Sequence, residues 1–204
     1  MKKKLILTTI AAIFMLGTAM GFIIACASSS SSSSPLRAMN DQEQAGQRLV
    51  VSFSYDKVKT IASSQFAFWI EDIDGNYVDT LYVTEYTARK GHRSRPNSLP
   101  QLVAIAKPAA MPPSEIDAIS GATPKSGDYS VIWHLTDRNG IPVIGSQFRY
   151  FMEATMNNGD NAVYSGIIAL SGEAWEERPN PVYSIPDSRY RSMITSVRVA
   201  YFPR

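Results

Sequence analysis

Cysteine is almost absent. Cys26 is the only one in 204 residues, so no disulfide can close within one chain and no thiolate cluster can hold a metal. Histidine is nearly as scarce, with His92 and His134 alone, and no metal site is expected. The usual signatures of phosphate binding and acyl transfer are missing: there is no G-x-G-x-x-G, no Walker loop and no G-x-S-x-G. Paired carboxylates for glycoside hydrolysis have no visible partner opposite Glu173, Glu176 and Glu177. Charge of one sign is also lacking. The chain has 20 Lys and Arg against 18 Asp and Glu, and three of the lysines lie in the first four residues. Without residues 1–25 the balance is seventeen basic against eighteen acidic residues, which argues against a nucleic-acid partner. No long amphipathic helix is visible. Leu99 to Lys107 and Ser114 to Ile119 suit short helices, the second with Ser114 as its N-cap.

What is present begins at the N-terminus. Lys2, Lys3 and Lys4 precede an apolar run from Leu5 to Ala25, which ends in Ile23-Ile24-Ala25-Cys26. The length alone would permit a membrane-spanning helix. The ending resembles the lipobox of bacterial lipoproteins, in which a small residue precedes a cysteine that is lipidated. The resemblance implies cleavage before Cys26, diacylglycerol on its thiol, and anchoring by two or three acyl chains. An unbroken serine run, Ser28 to Ser34, follows; it is too polar to pack a core and reads as a tether. The expected organisation is a signal peptide over 1–25, an acylated tether over 26–47 and one domain over 48–204.

Within that domain, strand signals dominate. Leu49–Tyr55, Gln65–Glu71, Tyr77–Thr84, Tyr129–Thr136, Phe148–Met156, Tyr164–Leu170 and Ser196–Phe202 are alternating or aromatic and β-branched. Asp74-Gly75-Asn76, Asp137-Arg138-Asn139-Gly140 and Asn157-Asn158-Gly159-Asp160 punctuate them as turns. Glu71 to Gly75 has calcium-loop flavour but lacks the spaced ligands, and reads as a hairpin turn. Trp69 and Trp133 fall in strand patterns and read as core, and the segment around Trp175 as an exposed edge or loop. About seven or eight short strands predict an all-β, Ig-like antiparallel sandwich. The stretch from Tyr86 to Lys125 is its longest interruption, and long connections in compact domains are often functional.

That interruption holds Asp117-Ala118-Ile119-Ser120-Gly121-Ala122-Thr123. The heptad resembles the acceptor motif of bacterial flavin transferases, D-x-x-[ST]-G-[AS]-T. The resemblance implies that Thr123 is esterified to the phosphate of FMN. Its hydroxyl is the nucleophile; Gly121 and Ala122 would keep the approach clear, and Asp117 and Ser120 would shape the loop or position the hydroxyl and Mg²⁺. Pro124 departs from the usual FMN-binding domain, where a helix follows. The plain alternative is a helix end, a turn and a strand start. From Glu85 to Glu115 no acid intervenes, while Arg89, Lys90, Arg93, Arg95 and Lys107 occur there. Arg93 and Arg95 are candidate contacts for a phosphate or a partner, or else belong to a solvated loop.

Phe68-Trp69-Ile70-Glu71-Asp72 with Asp74-Gly75, Arg95-Pro96 with Leu99-Pro100, the heptad, and the Tyr129 to Gly140 strand and turn together resemble a bacterial family of predicted periplasmic proteins, domain of unknown function 2271. That family is often encoded near flavin transferases and membrane PepSY-type proteins. The strand, Asp-x-Asn-Gly turn and following strand are also similar to the Ig-like module of flagellar hook-cap proteins, which supports the sandwich and gives no function. The resemblances imply an exported, lipid-anchored protein facing the periplasm or cell exterior. It would carry covalent FMN on Thr123 and relay electrons as a carrier rather than a catalyst. Its partners would be a flavin transferase, the membrane through the anchor, and a membrane-bound redox protein. The alternative is a cofactor-free binding or scaffold module of the cell envelope.

Overall fold

All seven predicted segments form strands, most with apolar side chains turned to one side as the pleat requires. In the computed structural model, residues 46–204 are described in full, together with the backbone of one short upstream strand, β1, Arg37–Ala38. The expected signal peptide, Cys26 and most of the expected tether lie outside the described residues. The other strands are β2 (Arg48–Tyr55), β3 (Gln65–Asp72), β4 (Tyr77–Thr84), β5 (Ser120–Gly121), β6 (Gly127–Trp133), β7 (Gln147–Asn157), β8 (Asp160–Ala169), β9 (Trp175–Glu177), β10 (Val182–Tyr183) and β11 (Ile194–Phe202). They make two sheets. One runs β1-β6-β2-β11-β9 and the other β10-β8-β7-β3-β4-β5. Every pairing is antiparallel except β4 with β5. The all-β sandwich expected from the sequence is the observed class. The strands beyond the predicted seven are of two or three residues each.

Between the sheets lies the main core. Val51, Phe53 and Tyr55 of β2 meet Phe66, Phe68 and Ile70 of β3 and Tyr150, Met152 and Ala154 of β7, with Trp133 and Tyr201 closing one end. Phe53 and Phe68 pack at 5.3 Å between ring centroids. Each such side chain contributes about 1.5–3 kcal/mol by burial.

β3 is buried on both faces from Gln65 to Glu71, and the continuous apolar run Phe66–Ile70 requires a second layer. The connection after β4 supplies it. This stretch contains a helical turn at α1 (His92–Ser94), then α2 (Pro100–Ala106) and α3 (Pro113–Ile119). Leu99, Leu102, Ala106 and Ile116 pack on Ala67, Trp69 and Val83 from the outer face of the six-stranded sheet. Trp69 stacks on Phe151 at 4.9 Å with planes 7° apart and donates its indole N–H to Glu71. Polar pins fix the layer. The two oxygens of the buried Glu153 accept the N–H groups of Gln101 (3.2 Å) and Leu102 (3.0 Å). Thr155 Oγ1 accepts Leu99 N–H at 2.9 Å. Glu153 thus acts, from β7, as the cap that α2 lacks in its own sequence.

One expected detail is wrong. Ser114 does not cap α3. The N-cap is Pro112 and Pro113 is the first helical residue, because proline's fixed φ and missing N–H suit that first position better than a serine one residue later.

Candidate functional site

The heptad spans three kinds of backbone. Asp117 lies in the last turn of α3, which Ile116 anchors in the outer layer. Ser120 and Gly121 then form β5 and run parallel to the end of β4, with Ser120 opposite Val83 and Gly121 opposite Thr84. The buried Tyr82 hydroxyl donates to the Ala122 carbonyl at 2.9 Å and reaches the Gly121 carbonyl at 3.4 Å. Burial raises the pKa of that phenol, which stays a neutral donor. The segment is therefore the pinned edge of a sheet rather than a free loop. Gly121 does not take a positive φ.

Thr123 follows immediately. It is half-buried, and its Oγ1 donates to the Ser64 carbonyl at 3.2 Å. It also lines a cleft of about 360 Å³ whose other wall is the 57–64 loop, including Lys57, Lys59 and Ile61. The loop is tied back to the heptad side: Lys57 N–H donates to Ser126 Oγ at 2.8 Å, and Ser126 Oγ donates to Asp56 at 3.2 Å. The Ser64 carbonyl has a second donor. The fully buried Gln65 gives its Nε2 to that oxygen at 2.9 Å and to Ser63 Oγ at 3.0 Å. Gln65 Oε1 in turn accepts Thr84 at 2.6 Å and Thr87 at 3.1 Å. Losing the Thr123 donor would leave no buried carbonyl orphaned.

Asp117 is not directed to Thr123. It pairs with Arg89, which also holds Glu85 at 2.8 Å. Its side chain is 58% exposed, so that pair is worth little to stability. The basic connection thus does meet the heptad, though at its acid rather than its threonine. Arg95 donates to the Ser63 carbonyl at 3.2 Å and lies over the Tyr86 ring at 5.3 Å. It therefore holds the same Ser63–Ser64 segment that Thr123 reads. Arg93 is exposed. A larger, shallow hollow of about 540 Å³ lies over Tyr86, Arg89, Lys90 and Gly91. No heptad residue lines it, so the hydroxyl-bearing cleft is the better candidate despite its smaller size.

Lys57, Lys59, Gln65 and the two serines are the residues that the sequence did not single out. They are some sixty positions from the heptad, and only the sheet register brings them beside it. The candidate acceptor fits a phosphoester group at one point. A secondary hydroxyl borders a cleft of ligand size with two lysines on its wall. Among the described residues no cluster of His, Cys, Asp and Glu could hold a metal ion.

Residues 48–180 match the family model described as predicted periplasmic protein (DUF2271). No curated protein and no solved structure matches the chain.

Proposed function

The chain belongs to that family of predicted periplasmic proteins and is an exported protein, and on this premise we propose that it is a covalently flavinylated electron carrier, with FMN on Thr123. The observation that carries the reading is the position of one hydroxyl. Thr123 Oγ1 borders a cleft walled by Lys57 and Lys59, on a segment otherwise pinned by Tyr82 and β4. In the attachment step Thr123 loses its hydroxyl proton to a base of the transferase. Its oxygen bonds the flavin-side phosphorus of FAD, and AMP leaves. Gln65 keeps the Ser64 carbonyl satisfied after Thr123 stops donating to it. Lys57 and Lys59 would neutralise the phosphate, and Arg95 would hold Ser63 in place. The bound flavin would supply one- and two-electron chemistry, and the protein its position and field. Lipidation of Cys26 would keep the carrier beside a membrane-bound redox partner, and a flavin transferase would be the second partner.

A second reading rests on the Thr123–Ser64 bond itself. A threonine that ties β5 to the start of β3 also suits a cofactor-free binding or scaffold module of the envelope. Export of the full chain with a flavin transferase separates the two. The carrier reading predicts in-gel flavin fluorescence that disappears in Thr123→Ala. Fluorescence that persists in the variant would move the site elsewhere, and its absence in the parent favours the scaffold.

A further inference from the structure

The near-zero net charge conceals a polarised molecule. The registers fix its two ends. At one, Leu49 pairs with Trp133, Arg48 with Phe202, and Asp72 with Phe148. At the other, Tyr55 pairs with Gly127 and with Ile194, and Gln65 with Thr155. The loops at this second end carry Lys57, Lys59, Arg93, Arg95, Lys125 and Arg189, on four separate segments. Arg89, Lys90 and Arg191 lie there too, against the acids Asp56, Glu85, Asp117, Asp128, Asp187 and the buried Asp160, so cations outnumber acids by nine to six; Glu85 and Asp117 are paired with Arg89. At the first end acids are in excess: Asp72, Asp74, Asp137, Glu173 and Glu176 lie on or beside its turns, against Arg48, Arg138 and Arg204. Exposed apolar groups sit among the cations of the second end. Ile61 is 91% exposed, and Tyr86 is 41% exposed beneath the Arg95 guanidinium. Tyrosine and arginine are the residue types that anchor protein interfaces.

We propose that this basic end, which surrounds the Thr123 cleft, is the docking face for an acidic surface of a partner protein. Charge complementarity names the partner's chemistry. The arginine stacked on a half-exposed tyrosine at this end, Arg95 on Tyr86, favours a protein over a lipid surface.

The inference stands on the charge distribution and not on flavinylation, so docking should survive Thr123→Ala. The test measures binding of the full chain to immobilised poly-L-glutamate, and to vesicles of phosphatidylglycerol and phosphatidylcholine, at low and high salt. Arg93→Glu with Lys125→Glu should weaken poly-L-glutamate binding by about tenfold or more at low salt, and added salt should erase the difference. Arg138→Glu with Arg204→Glu, at the acidic end, should change it by less than about threefold. Equal losses from the two pairs, no binding to poly-L-glutamate, or a gain in vesicle affinity from phosphatidylglycerol that the Arg93→Glu, Lys125→Glu pair abolishes would each overturn the proposal.

Discussion

At the scale of the residue, Thr123 matters because its neighbours are fixed and its own hydroxyl is not essential to them. Gln65 shares its acceptor, so Thr123→Ala should fold, and a loss of modification can be read as chemistry. Gly166 is the opposite case. A Cβ there would lie 2.5 Å from Glu177 Oε1 and 2.6 Å from the Tyr150 hydroxyl, the two groups that bond at 2.6 Å across the sandwich. Gly166→Ala should cost about 2–3 kcal/mol by overpacking, measurable by urea denaturation. A variant as stable as the parent would mean that β8 shifts freely. The sequence made Thr123 and Asp117 legible because their motif is local. It hid Lys57, Lys59 and Gln65, whose proximity comes from folding β2 back into β3. Their alternation and polarity said only strand and loop.

At the scale of the element, the long connection after β4 is a second layer. Its helices were legible as short apolar stretches bounded by prolines, but the layer's target was not. That target is the two-sided burial of β3, set by Ala67 and Trp69 on the outer face. The edge strands β5, β9 and β10 are too short to show a period, and so escaped the sequence or, near Trp175, read only as an edge or loop. Lys107 ends α2 at φ 50° and ψ 55°, a left-handed conformation in which its side chain adds strain. Lys107→Gly should stabilise the protein by about 0.5–1 kcal/mol, seen as a rise in Tm; a fall would show that the side chain has a role in the fold. Glu153 pins the other end of the same helix. Burial raises its pKa from 4.5 to about 7, against the two N–H groups that favour the charge. The folded protein then holds this proton more tightly than the unfolded chain. Stability should therefore fall as pH rises from about 4.5 to about 7 and be insensitive to this group outside that window. The full loss is on the order of 3 kcal/mol. Glu153→Gln should flatten that slope whatever its absolute stability; an unchanged slope would assign the effect to other groups.

At the scale of the whole molecule, two properties emerge that no segment carries alone. One is the separation of charge between the ends, invisible in the composition. The other is a preference for mildly acidic solution. Asp79 is pushed up to about 6 by burial, then by Asp137 and Glu115, and it acts in the same direction as Glu153. Asp72 is held low by hydrogen bonds from Asn76, Asp137 by backbone N–H groups led by Ile141, and Glu176 by Arg198. These three support the fold until pH falls below their depressed values. Thermal midpoints across pH 4 to 9 should peak near pH 5 rather than at neutrality; a flat profile or a peak above pH 7 would remove Glu153 and Asp79 from the account. The sandwich class was legible from alternation and turns, because each strand's period is local. The polarity of the molecule was not, because it depends on which loops share an end. The central claim remains that the cleft at the basic end presents an acceptor hydroxyl. Intact-mass measurement of the full chain, exported in cells whose flavin transferase modifies a known acceptor, tests it most directly. The account predicts a gain of one FMN less one water, mapped to the peptide that contains Thr123. An unmodified mass beside a fully modified acceptor in the same cells would contradict it.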